Sequence, residues 1–347
     1  MARAGNSDRN GVARAFRGIV RLALVLGVFA GAVWGVAFLL DSQKSPAANA
    51  CVAALPDGTR YALGGEQTRN AALISAVALD RGLPARAVTI ALATAMQESR
   101  LINIDYGDRD SLGLFQQRPS QGWGTEEQVT DPFYSANAFY DGLLKVNGWE
   151  TLEVTVAAQA VQRSAFPNAY AQHEGMARAF ASALTGHSPA ELACDVPEDE
   201  RAGDPADAPP SGDENAAGGA PPSGDENAAG GAPPSGYTAG GAEPLLPLFS
   251  GLDDFGIAPP LSPALDSSGA VVKAPSGRVL STLDAAALTG LEDPARASWA
   301  AAHWLVATAS ESTVTTVVVG DLLWRNGSLA WEPAGKLAQP ENTVLVG

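Results

Sequence analysis

Between residues 68 and 186, apolar side chains recur every three or four positions, the spacing of a helix with one buried face. The run TRNAALISAVALDRG opens on Thr68, a residue type suited to capping, and stops at Gly82. Pro84 introduces a second helix through RAVTIALATAMQES. Asp131-Pro132 places a capping carboxylate ahead of a first-turn proline and leads into FYSANAFYDGLLKV, ended by Asn147-Gly148. VTVAAQAVQRS is a fourth helix, stopped before Pro167, and PNAYAQHEGMARAFASALTG a fifth, ending at Gly186. No useful length of strict alternation interrupts them, so 51–194 is predicted to be a mainly α domain. Its one long non-helical insertion lies at about 101–124.

The pattern then stops. APPSGDENAAGG occupies 208–219 and repeats at 220–231, followed by a shortened APPSGYTAGG. Chain of this composition has too little apolar surface to offset its ordering entropy, so 196–242 is predicted to be a disordered acidic linker. Beyond it, 265–347 reads as a small α+β domain. Asp293-Pro294 starts a helix through ASWAAAHWLVATA, TVTTVVVG is a buried strand, and Asn326-Gly327 predicts a hairpin between two short apolar runs. NTVLVG is a final strand. His303, Trp304, Trp324 and Trp331 are assigned to the core of this unit rather than to a site.

At the other end, residues 22–40 (LALVLGVFAGAVWGVAFLL) carry no charge and would span roughly 28 Å as a helix, close to the apolar thickness of a bilayer. Five arginines precede it within 1–21. The positive-inside rule then predicts a single-pass cell-membrane protein with a cytoplasmic N-terminus and everything beyond residue 41 outside. The Ala48-Asn49-Ala50 pattern leaves a cleaved signal peptide as the rival reading. The fold class expected from these segments is multidomain: one N-terminal transmembrane helix contacting the lipid bilayer, a mainly α domain, a disordered linker and a small α+β domain.

The formal charge is −16, but ten carboxylates and a single arginine fall between Asp195 and Glu226, so the acidity describes the linker. A chain without a basic face is not expected to bind nucleic acid. Cys51 and Cys194 are the only cysteines and bracket the helical region. Outside the membrane a disulfide is the default pairing, with two free thiols as the alternative. Two distant cysteines and three histidines form no metal-ligand spacing, and no metal or cofactor is expected.

Candidate chemistry sits where the second helix ends. The helix is apolar almost all round, which marks it as buried, yet its last turn carries Glu98. Burial disfavours the carboxylate and raises its pKa. A carboxylic acid still protonated near neutral pH is what cleavage of a glycosidic bond requires, because the leaving oxygen must receive a proton. The insertion adds Gly113-Leu114-Phe115-Gln116, a glycine that lets backbone approach a ligand followed by a hydrogen-bonding amide. Gln117, Gln121 and Trp123 extend this polar and aromatic surface, and Asp105, Asp108 and Asp110 are candidates for a second carboxylate.

The order Gln97-Glu98-Ser99, Gly113-Leu114-Phe115-Gln116, Asp131-Pro132 and Asn137 resembles the lysozyme-like superfamily, specifically lytic transglycosylases and goose-type lysozymes. Ala160-Val161-Gln162-Arg163-Ser164 stands where that family has Ala-Tyr-Asn-Ala-Gly, and Tyr170 where a later tyrosine falls. The likeness covers about 70–185. The general style of the chain is similar to membrane-anchored wall proteins of actinobacteria. The resemblance implies that Glu98 acts as general acid and then general base. It also implies that Gly113, Gln116, Gln162 and Tyr170 line the substrate site, and that the substrate is the peptidoglycan glycan strand, cut between N-acetylmuramic acid and N-acetylglucosamine. Phe115 replaces the family's Met, Gln162 its Asn, and Arg163-Ser164 its Ala-Gly. The alternative is a non-catalytic peptidoglycan-binding or envelope-assembly protein, with the C-terminal domain recruiting an envelope protein partner.

Overall fold

The computed structural model describes residues 50–164, 168–196, 261–266, 268–310, 312 and 314–347. The segment 1–21, the apolar run 22–40, Pro167 and the repeat tract beyond Val196 lie outside the described residues. Helices are numbered α1 (Gly65–Asp80), α2 (Ala85–Ser99), α3 (Glu126–Thr130), α4 (Pro132–Leu143), α5 (Val154–Gln162), α6 (Glu174–Leu184), α7 (Ala285–Thr289) and α8 (Pro294–Ala307).

Helix α2 is the axis around which the first part is built. Its alanines leave room for neighbours on every side, and Ala87 to Ala95 are all buried. Helices α1, α4, α5 and α6 pack around it. Asp131 caps α4 by accepting from the N–H groups of Phe133 and Tyr134, with Pro132 in the first turn. The start of α1 differs from expectation: Thr68 is buried inside the helix, its hydroxyl bonded to Gly64 O at 2.9 Å. Gln67 bonds back to the Gly64 N–H instead.

The expected fold class needs correction. The structure mixes helices with two sheets, and no described helix is long and apolar enough to cross a membrane. The first sheet belongs to the part predicted to be mainly α. Strands β1 (Ala50–Ala54), β2 (Arg60–Gly64) and β3 (Leu192–Asp195) form an antiparallel sheet in the order β2-β1-β3. These strands are only four or five residues long and β1 and β3 are mostly buried, so the polar alternation that would betray a half-exposed strand is missing. Cys51 and Cys194 face each other in the β1–β3 register and are joined by a disulfide.

The second sheet is six-stranded and ordered β4-β5-β9-β6-β7-β8. Its members are β4 (Leu261–Pro263), β5 (Ser281–Leu283), β6 (Thr316–Val319), β7 (Leu322–Arg325), β8 (Glu332–Pro333) and β9 (Val344–Val346). Successive side chains of a strand point to opposite faces, so Val317 and Val319 join the main core while Val318 joins a second one with Leu280, Leu323 and Leu345. The tight β6–β7 hairpin turns at Gly320-Asp321. Asn326-Gly327, predicted to turn a hairpin, opens the connection between β7 and its antiparallel partner β8.

A separate tethered unit is likewise not what the described residues form. One hydrophobic core runs from Ile74 and Ile90 through Phe180 and Leu192 to Trp304, Val317 and Trp324. Helix α8 packs on α6 and β3. Indole N–H groups of Trp324 and Trp331 donate to Cys194 O (3.2 Å) and Leu192 O (2.9 Å), covering backbone that another strand would otherwise bond. Gly186 makes the approach possible: a Cβ there would lie 2.1 Å from Arg296 O. His303 is buried against Trp299 and Trp331 and bonds Ala183 O at 2.8 Å. Burial pushes its pKa down to about 4, so it is neutral at physiological pH.

The disulfide closes a loop across a sequence separation of 143. In the chain-entropy picture a loop of this size is worth about 5 kcal/mol. Reduction under native conditions is therefore expected to lower the urea midpoint sharply, which equilibrium unfolding with and without dithiothreitol will read.

Candidate active site

Glu98 lies in the last turn of α2, where the helix is ended by force. Arg100 and Leu101 both adopt left-handed backbone, φ 60° and 59°, without being glycine. Each such residue costs about 1–3 kcal/mol unless its surroundings hold it. Here Gln67 donates to Arg100 O (2.8 Å), Asn70 donates to Leu101 O (2.7 Å), and the Leu101 side chain is fully buried. The chain thus leaves the helix at once, and the Glu98 side chain is half-buried at the core's edge.

The Gly113–Gln116 segment is a tight turn closed by paired backbone bonds between Leu112 and Gln117, 3.0 Å in both directions. Gly113 has φ +75°, and a Cβ there would meet Val129 O at 2.1 Å, so only glycine fits. Phe115 roots the turn by stacking on Phe139 with ring centres 4.6 Å apart. Ser99, the neighbour of Glu98, ties the helix to this turn through its hydroxyl, 2.7 Å from Leu114 O. Gln116 is itself left-handed (φ 48°), with its amide 3.2 Å from Tyr106 O.

Two side chains reach the Glu98 carboxyl. The Tyr170 hydroxyl donates to Oε1 at 2.8 Å, and the Gln162 side chain is hydrogen-bonded to the same group. Gln162 also donates to Phe115 O at 2.8 Å, so one amide links the carboxyl to the turn. Burial raises the Glu98 pKa above the ordinary carboxylate value, and the bonds from Tyr170 and Gln162 offset part of that rise. Tyr170 is fully buried, and burial followed by the adjacent Glu98 charge raises its own pKa far enough to keep it a proton-bearing donor.

The structure therefore brings Glu98, Gln162, Tyr170 and the Gly113–Gln116 turn together. Asp110 is bound to Arg118 Nε (2.7 Å) and to the Ser120 N–H (2.8 Å), bonds that depress its pKa and make it a brace of the insertion. Asp105 and Asp108 are exposed. Gln117 is buried and donates to Ser135 O, while Asn137 accepts from Arg81; both support the scaffold. Trp123 is half-buried beside Gly142. No cluster of metal ligands occurs among the described residues.

Sequence reasoning missed a latch at the rim. Gln97 Oε1 lies 3.1 Å from Gln172 Nε2 and 3.0 Å from His173 Nε2, fastening the 3-10 turn Ala169–His173 to α2. That turn carries Tyr170. A separation of 75 residues has no local signature from which the latch could be read.

No protein-family model and no curated protein matches the chain. The site has to be read from its own geometry.

That geometry predicts a pH effect. The Tyr170 bond favours the ionised carboxyl, so Tyr170→Phe removes a stabiliser of the charge and raises the Glu98 pKa further. A hydrogen bond to a charged group stabilises that form, so its loss shifts the Glu98 pKa upward. If Glu98 acts as an acid, activity falls as pH rises through its pKa. The alkaline limb of the rate profile is then expected to move to higher pH in Tyr170→Phe.

Proposed function

We propose that the chain cleaves peptidoglycan glycan strands between N-acetylmuramic acid and N-acetylglucosamine, using Glu98 as sole acid and base. The observation that carries this reading is one half-buried carboxyl of raised pKa, held by Tyr170 and Gln162 beside a turn that only glycine can make. Glu98 gives its proton to the glycosidic oxygen as the bond to muramic C1 breaks. The resulting carboxylate then takes the proton of the muramic 6-hydroxyl, whose oxygen closes onto C1. The acid is regenerated, an anhydro sugar is formed, and neither water nor a cofactor is consumed.

A hydrolase would ordinarily need a second carboxylate to activate water or to attack the sugar. The engagement of Asp110 with Arg118 and Ser120, and the exposure of Asp105 and Asp108, favour the single-acid route. The test is a digest of purified peptidoglycan by the full chain, read by mass spectrometry. Products one water lighter than hydrolytic muropeptides are expected. New reducing ends would overturn the single-acid route, and a folded protein that sediments with peptidoglycan without cutting it would replace the enzyme by a binding module.

A further inference from the structure

We infer that Tyr106 is a sugar-stacking platform at the rim of this site, a reading that rests on the proposed glycan substrate. Tyr106 is 69% exposed, the highest value among the exposed large hydrophobic residues described. A single exposed aromatic is ordinary on a mobile loop. This one stands on a loop whose backbone is held from several directions.

The carbonyl of Tyr106 accepts from Gln116 Nε2 at 3.2 Å. The next residue, Gly107, lies so close to the same amide that a Cβ would meet Gln116 Oε1 at 2.0 Å and Ser111 O at 2.5 Å. Arg109 takes left-handed backbone (φ 59°), and Ser111 N–H bonds back to Asp108 O at 3.1 Å. The Asp110 brace to Arg118 and Ser120 closes the far side.

A short path joins this loop to the chemistry. Glu98 is bonded to Gln162, Gln162 to Phe115 O, Phe115 is followed by Gln116, and Gln116 holds the Tyr106 backbone. An uncovered amphipathic ring on a braced backbone can offer an apolar face to the C–H face of a pyranose, with its hydroxyl open to water or a sugar oxygen. The ligand class is a pyranose of the glycan strand, in a subsite outside the bond being cut.

The test uses the full chain carrying Glu98→Gln, so that binding is read without turnover. The probe is a tetrasaccharide of alternating N-acetylglucosamine and N-acetylmuramic acid, titrated calorimetrically. Adding Tyr106→Ala is expected to weaken binding about tenfold, as loss of one aromatic contact does, whereas Tyr106→Phe stays within about twofold. Thermal midpoints of the two should agree, because the ring is not part of the core. Equal affinity of the alanine variant and its parent overturns the platform and leaves the glycan reading standing. Phenylalanine as weak as alanine also overturns it, by assigning the effect to the hydroxyl. No binding by any variant, together with no cleavage by the unaltered chain, overturns the glycan reading and the platform with it.

Discussion

Glu98→Gln is expected to reduce peptidoglycan cleavage by about 10²–10⁴-fold while leaving the protein folded and its affinity for the wall largely intact. The amide matches the carboxyl in shape and can still accept from Tyr170 and from Gln162, so packing at the end of α2 is preserved. It has no proton to give to a leaving oxygen. Removing a half-buried carboxyl of raised pKa also removes a group that ionises only at a cost, so the thermal midpoint should hold or rise slightly. Release of soluble muropeptides, measured beside sedimentation with peptidoglycan, separates the outcomes. Loss of both cleavage and binding would mean that Glu98 shapes the site rather than acting in it. Unchanged cleavage would remove it from the chemistry altogether.

The second large effect concerns the fold. A chain ending at Val196 is expected to lose cooperative folding, although its helices and disulfide are all present. Ala183, Leu184, Leu192 and Cys194 are fully buried, and α8 with the second sheet supplies their cover. Trp304, Leu305, Val317, Trp324 and Val344 are buried in that shared core. Each such side chain is worth about 1.5–3 kcal/mol, so a handful equals the whole stability of an ordinary domain, about 5–15 kcal/mol. Truncation would also strip the indole donors from the backbone of β3 and expose an edge strand. Circular dichroism and urea unfolding of the truncated chain check this. A sharp transition with unchanged midpoint would show that the first part stands alone.

The expectation of an independent helical domain fails for a definable reason. Composition and periodicity report whether a residue is buried, not what buries it. Trp304 and Trp324 were assigned to a core, and they are in one. The sequence offers no sign that Leu192 and Ala183 belong to the same core, because the partners lie more than 100 residues apart.

Local chemistry was legible where its cause is local. Asp131-Pro132 starts α4 because a short carboxylate and a residue lacking an N–H suit a helix's first turn. Gly113 is read from the sequence as a place where backbone approaches a ligand, whereas the close approach in the structure is to Val129 O of the chain itself. Glu98 stood out because a carboxyl at the end of an apolar helix is costly unless it has work to do. Tertiary structure alone decided its surroundings. Tyr170 and Gln162 arrive from distant segments, and Asp110 turns instead to Arg118 and Ser120. Helix caps and apolar stripes follow from interactions a few residues apart, whereas the partners of a buried acid are chosen by how separate elements pack. The sequence by itself therefore determined where the acid stands, and packing determined what holds it.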